Sequence, residues 1–230
     1  MKWLAFATDF DGTIATDGMV DEPTREALAR LRAGGATMVL VTGRELKDFN
    51  HAPEILDLFD SVVAENGGVL YSPVTKETQV IAPPPPPEFA AELRNREVPV
   101  SEGQVIVATV EPHEITVLEL IKDMALELQV IFNKGAVMVL PSGVNKASGL
   151  KVALDNYGIA LSEVVAVGDA ENDSVFLETC GLSVAVANAL PVLKERVTLV
   201  TRSNAGAGVT ELIDSLLRGE LESTAETETA

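Results

Sequence analysis

Asp9 and Asp11 stand two residues apart at the exit of an apolar run, Leu4-Ala5-Phe6-Ala7-Thr8, and Gly12-Thr13 follow as a turn. Where a strand ends and the backbone curls, two carboxylates at this spacing can converge on one crevice. Phosphoryl transfer through a carboxylate needs such a pair. One carboxylate attacks phosphorus, and the other handles the proton of the leaving and entering oxygens. Read alone, the same residues also suit an ordinary acidic turn.

Three further segments repeat the pattern of a strand running into chemistry. Ala36 to Val41 is apolar and ends in Thr42-Gly43-Arg44. A threonine followed by free backbone N–H groups is a phosphate cradle, or simply a helix cap. Lys146 stands at the start of an expected helix, where a lone lysine is usually solvated. Val164 to Val167 leads into Gly168-Asp169-Ala170-Glu171-Asn172-Asp173. The i, i+4 spacing of Asp169 and Asp173 places them near one another across a first helical turn. Acidic residues there also complement a helix N-terminus.

Together and in this order, the four segments resemble the four motifs of the haloacid dehalogenase superfamily of phosphohydrolases. The resemblance covers the chain from Met1 to about Leu217. It implies that Asp9 forms an aspartyl-phosphate and that Asp11 serves as general acid, then general base. It implies Mg2+ held by the Asp9 carboxylate, the Asp11 backbone carbonyl and Asp169, with Asp173 close by. Thr42, Gly43 and Lys146 would bind the phosphate, and Arg44, Asn66, Asn172 and Asn188 would contact the substrate or the site's loops. Phosphatases and mutases of the superfamily keep a carboxylate where Asp11 stands; P-type ATPases carry Thr, and dehalogenases lack the acid.

Positioning these residues requires an alternation of strands and helices. Helices are expected over 23–32 and 45–58, with strands at 61–64 and 69–71. This alternation predicts an α/β fold, a Rossmann-like doubly wound parallel sheet. The prolines from Pro83 to Pro87 break the rhythm and read as a stiff extended spacer. Beyond them the pattern is α+β: helices at 88–96 and 114–127, strands at 105–111, 130–133 and 137–140, and Lys134-Gly135 as a hairpin turn. The alternation resumes at Lys146. The expected division is therefore core 1–77, small cap insert 78–141, core 142–217, and an acidic disordered tail 218–230. An insert at this place resembles the type C2B cap of the superfamily. The likeness runs closest to archaeal-type phosphoglycolate phosphatases and Cof-like sugar phosphatases. Ser174-Val175-Phe176 departs from those members, which often carry Met or Pro there.

The implied substrate is a small phosphorylated metabolite, with 2-phosphoglycolate first and sugar phosphates second. A phosphomutase is the enzymatic rival, and a regulator that binds a phosphorylated ligand is the non-enzymatic one. Lys122, Lys134, His113 and Asn133 are the polar anchors the insert offers. Lys134, at the hairpin turn, could pair with a substrate carboxylate or be a solvated turn residue.

Composition narrows the partners. The 230 residues are 47% hydrophobic, enough for a sizeable core, and no apolar run is long enough to span a membrane. The net charge is -18; four glutamates in 219–230 carry -4 of it and leave -14 elsewhere. That surplus argues against nucleic acid and anionic membranes. It suits a high-salt cytoplasm as well as an ordinary acidic protein. Cys180 is the only cysteine and reads as a packing residue, and His51 and His113 are too few for a zinc site. The expectation is a cytoplasmic enzyme, monomeric or homodimeric.

Overall fold

The apolar runs that end in candidate residues lie side by side in the middle of one sheet. They are seen in a computed structural model that describes residues 3–50 and 53–221; His51 and the tail residues 222–230 lie outside the described residues. The first half of the chain forms β1 (Ala5–Thr8), α1 (Glu22–Ala33), β2 (Thr37–Val41), β3 (Ser61–Ala64), β4 (Val69–Tyr71) and β5 (Thr78–Val80). Asp21 caps α1 by accepting the Thr24 N–H at 3.0 Å, and proline follows at an early helical position. Then come α2 (Pro87–Asn95), β6 (Ser101–Glu102), β7 (Val107–Val110), α3 (Glu114–Asp123), β8 (Leu128–Asn133) and β9 (Ala136–Pro141). The chain closes with α4 (Lys146–Asp155), β10 (Val164–Gly168), α5 (Ser174–Thr179), β11 (Leu182–Ala185), α6 (Pro191–Lys194), β12 (Leu199–Val200) and α7 (Ala205–Leu217).

Eight strands make the larger sheet, in the order β12-β11-β10-β1-β2-β3-β4-β5. The six from β12 to β3 run parallel, and β4 and β5 add an antiparallel edge. Residue 78, the expected start of the insert, opens β5, so the larger sheet runs on to Val80. From the centre, β1 leads outward to β2 while β10 leads the other way to β11. Right-handed crossovers in opposite directions put helices on both faces. In line with this, α1 packs on α7 and α4 on α5. The order reverses between β1 and β10, and the crevice beyond the strand ends at such a reversal is where open α/β sheets bind ligands.

The smaller sheet, β6-β7-β9-β8, is antiparallel. One face is covered by α2 and α3 through Phe89, Leu93, Val117 and Leu120. A separate apolar cluster, including Ala64, Val69, Ile106, Met138 and Leu140, joins it to the larger sheet. Lys134 and Gly135 both take positive φ, 47° and 84°, as a two-residue hairpin turn with this twist requires.

Two expected elements differ. The helix over 45–58 is instead a pair of short 3-10 segments, Leu46–Phe49 and Pro53–Leu58. The Asp48 carboxylate takes the Glu45 N–H, and Pro53 has no N–H to carry a helical ladder onward. The α3 helix stops at Asp123, short of residue 127, because Ala125 turns to a φ of 51°. Beyond α7, Trp3 Nε1 donates to the Leu221 carbonyl at 3.3 Å, and the Leu221 side chain packs against the core. Among the described residues, no helix is long and apolar enough to cross a membrane. Burial pushes the Cys180 thiol up to about 12, which suits a packing residue.

Candidate active site

Asp9 follows β1 directly, and its N–H is held by the Val167 carbonyl of β10 at 3.0 Å. Its side chain lies in the crevice, 5% exposed. Oδ1 accepts from Lys146 Nζ at 2.5 Å and Oδ2 from Thr13 Oγ1 at 3.1 Å. Lys146, the first residue of α4, is only 1% exposed. Its ammonium also donates to Asp173 Oδ1 at 2.6 Å, so one cation serves two buried carboxylates. Burial and Asp173 push the Asp9 carboxyl up to about 7, against the opposing pull of Lys146. Burial works against the Lys146 charge, but Asp173 and Asp9 outweigh it and hold its pKa above the ordinary lysine range.

The loop after β10 supplies the other carboxylates. Asp173 Oδ2 accepts the N–H groups of Asp169 and Ala170 at 2.8 and 3.0 Å, and this closes the loop on itself. A Cβ on Gly168 would stand 2.6 Å from Asp173 Oδ2, so a side chain there would displace the carboxylate. Asp169 is buried, and burial raises its pKa while Lys134 partly offsets the rise. Its Oδ1 is buried with no hydrogen-bond partner, and its Oδ2 accepts from Lys134 Nζ at 2.6 Å.

Oxygens of Asp9, Asp169 and Asp173 lie within 4.8 Å of one another. Three hard oxygen donors and an orphaned carboxylate oxygen fit a hard divalent cation such as Mg2+. The Asp11 carbonyl borders the same space and accepts from Lys134 Nζ at 3.2 Å.

The Asp11 carboxylate faces another way. Arg44 clamps it with two bonds, Nε to Oδ2 at 2.7 Å and Nη2 to Oδ1 at 2.6 Å. The guanidinium lies over Phe10, 4.9 Å from the ring centroid, with Phe49 at 5.8 Å. Arg44 thus orients Asp11 through a stacked fork.

Thr42 is buried, and its Oγ1 accepts the Arg44 N–H at 3.1 Å. Asn172 Nδ2 donates to Asn66 Oδ1 at 2.9 Å, and its own Oδ1 is buried without a partner. Asn188 ties three segments together: Nδ2 donates to the Gly12 carbonyl at 2.8 Å and reaches Asp169 Oδ2 at 3.4 Å, while Oδ1 accepts the Ala205 N–H at 2.7 Å. The structure therefore brings Asp9, Lys146, Asp169 and Asp173 into one cluster. Asp11 and Arg44 form a pair beside it, and Asn188 is spent on the loops.

A cavity of about 250 Å³ opens between this cluster and the smaller sheet, bordered by Asp9, Asp11, Gly43, Arg44, Asn133 and Met138. Asn133 Oδ1 is another buried oxygen with no partner. Of the insert's other candidate anchors, Lys122 and His113 are on or beside α3 and border neither this cavity nor the one around Lys134.

Glu65 is a residue that the sequence did not single out. It is 1% exposed at the end of β3, and its carboxylate accepts the N–H groups of Gln104, Val105 and Ile106 at 3.0, 2.7 and 3.0 Å. A Cβ on Gly103 would sit 2.6 Å from that carboxylate. Its own N–H bonds the Arg44 carbonyl, and Asn66 N–H bonds the Thr42 carbonyl, both at 3.0 Å. Glu65 thereby clasps the segment entering β7 to the loop that carries Thr42 and Arg44. An acidic residue in a Gly-rich turn carries no sequence signal of this role.

Comparison with known proteins gives a consistent picture. Residues 6–93 and 103–213 match the family model described as haloacid dehalogenase-like hydrolase. The phosphoglycolate phosphatase of Methanothermobacter thermautotrophicus is 34% identical over 223 residues, covering 91% of this chain and 96% of that protein. A haloacid dehalogenase-like hydrolase from Bacteroides thetaiotaomicron has the same fold, with a TM-score of 0.80 at 21% identity, covering 94% of this chain and 100% of that one. A sugar phosphatase of subclass IIB of that superfamily superposes with a TM-score of 0.75 at 19% identity, covering 92% of this chain and 98% of that one.

Proposed function

This chain belongs to the haloacid dehalogenase-like hydrolases, and from that membership we propose that it is a Mg2+-dependent phosphatase acting on 2-phosphoglycolate through an aspartyl-phosphate on Asp9. The observation that carries this reading is the buried cluster at the strand reversal. The Asp9 carboxylate stands at the mouth of a small cavity, with Lys146 beside it and Asp169 across from it. The substrate is taken from the 34% identical relative and from a cavity whose size suits a small ester.

Asp9 attacks phosphorus, and the bond from phosphorus to the ester oxygen breaks. Asp11 gives its proton to the leaving alkoxide. It then takes one from water as that water attacks the phosphoryl group and releases Asp9. Arg44 orients Asp11, and Lys146 offsets the negative charge that the phosphoryl group brings beside Asp9. The Asp9 and Asp169 carboxylates and the Asp11 carbonyl would hold the metal ion, with Asp173 behind them. The ion supplies charge neutralisation for the phosphoryl oxygens. The insert, with Met138 and Asn133 over the cavity, forms the cap that excludes bulk water.

The test is a panel of phosphomonoesters compared by kcat/KM, with Mg2+ and with excess chelator. We expect turnover to vanish in chelator. We expect 2-phosphoglycolate to lead hexose and pentose phosphates by at least about ten-fold, a difference of ~1.4 kcal/mol in transition-state binding. Full activity in chelator removes the metal from the reading. A ten-fold preference for sugar phosphates replaces the substrate, and no turnover of any ester leaves a phospho-ligand regulator.

A further inference from the structure

Lys134 comes from the insert, yet its ammonium lies among the carboxylates of the core. The hairpin turn that carries it is fixed on both sides. Asn133 and Ala136 pair across β8 and β9, and the Lys134 N–H reaches Glu171 Oε2 at 3.3 Å, in the same loop as Asp169. From this anchored turn the side chain extends to Asp169 Oδ2 at 2.6 Å and to the Asp11 carbonyl at 3.2 Å. These are two of the oxygens that the proposed reading gives to the divalent ion. Gly12 closes the space from below: a Cβ there would collide with Asp169 Oδ2 and stand 2.7 Å from Lys134 Nζ.

Two cations compete for these two groups, because the Lys134 ammonium lies on both the Asp169 carboxylate and the Asp11 carbonyl at once. An ammonium binds carboxylate oxygens at hydrogen-bond distance, and a divalent ion draws the same oxygens closer still. Side by side they repel strongly in a partly desolvated crevice. The other cations of the site are committed elsewhere, Lys146 to Asp9 and Asp173 and Arg44 to Asp11. Lys134 is the exchangeable one. It sits on a flexible four-carbon stem, and its side chain is 44% exposed although its head is sequestered.

Resting on the phosphatase reading above, we propose that Lys134 is an exchangeable cation and a specificity residue. It occupies the Asp169 and Asp11 oxygens until a divalent ion displaces it, and the freed ammonium then pairs with a second anionic group on the substrate, a carboxylate. Its anchored turn keeps it close to Asn133, which borders the cavity. Metal occupancy and recognition of the substrate's far end thereby become one coupled event.

The test has two arms. Mg2+ binding is measured by calorimetry without substrate for the wild type, K134Q, K134R and K47Q. The last removes an equal charge from a residue that pairs with Glu45 beside the cavity. We expect K134Q to bind Mg2+ about ten-fold more tightly, with K134R and K47Q within about two-fold of wild type. In the second arm, K134Q raises KM for 2-phosphoglycolate by about ten-fold and leaves that for ethyl phosphate, which has no carboxylate, within about two-fold. Unchanged or weaker Mg2+ binding by K134Q overturns the exchange. An equal shift in K47Q reduces it to a general field effect, and equal KM changes for the two esters overturn the recognition. Wild-type protein that binds no Mg2+ overturns the metal assignment itself, a failure distinct from the others.

Discussion

Replacing Asp9 with Asn lowers turnover by at least about 10⁴-fold and changes stability by an amount that depends on pH. The two halves of this expectation have different causes. The amide cannot attack phosphorus, so no aspartyl-phosphate forms. The amide also removes one of two buried carboxylates that share Lys146, leaving that lysine paired with Asp173 at 2.6 Å. The pH dependence follows from the Asp9 carboxyl lying near 7 in the folded protein against an ordinary 3.8. Between those values the folded state holds more protons at this site than the unfolded chain, so its contribution to stability falls as pH rises. Asn does not titrate. In chelator, the melting temperature of D9N relative to wild type should therefore climb from about pH 4 to pH 7 and then level off. Near-normal turnover by D9N would remove Asp9 as nucleophile, and a variant that melts well below wild type at pH 8 would contradict the electrostatic account.

Replacing Lys146 with Met should cost about 3–5 kcal/mol of stability, read as a shift in the denaturant midpoint at neutral pH. The methionine fills the space but leaves Asp9 and Asp173 facing one another, buried and without their cation. The pair then holds an extra proton or forces the loop apart. Adding D173N should recover part of the loss, because an amide oxygen can still accept the Asp169 N–H while the second charge is gone. Activity should fall with both variants, since Lys146 stands beside Asp9, the proposed nucleophile. Stability of K146M within about 1 kcal/mol of wild type would show that the cluster carries no such electrostatic weight.

The central strands were legible because a buried parallel strand is an unbroken apolar run, and β1, β2 and β10 each end abruptly in polar residues. Asp9, Asp11, Asp169 and Asp173 stand at those ends, where their spacing marked them as candidates and the order of the four segments singled them out. Lys146 was legible as a position but not as an environment. Its partners are 137 and 27 residues away, and no local pattern distinguishes it from a solvated lysine at a helix start. The Arg44 clamp on Asp11, the Glu65 clasp and the Lys134 contact share this property, since each joins segments that only the fold makes neighbours. The segment 45–58 misled for a local reason: its apolar residues recur at helical spacing, but Asp48 and Pro53 break the ladder.

The position of β1 between β2 and β10 also sets a timetable for synthesis. Its first neighbour emerges soon after it, but the second begins at Val164, and the bond from Asp9 N–H to the Val167 carbonyl has to wait for it. At ribosomal rates of about 5–20 residues per second, that wait is on the order of ten seconds. The four strands of the smaller sheet, complete by Pro141, leave the ribosome within the same interval. The nascent chain therefore carries the Asp9 carboxylate, the proposed nucleophile, early, on a strand with an open edge, and gains the carboxylate cluster only once the segment bearing Asp169 and Asp173 has been added.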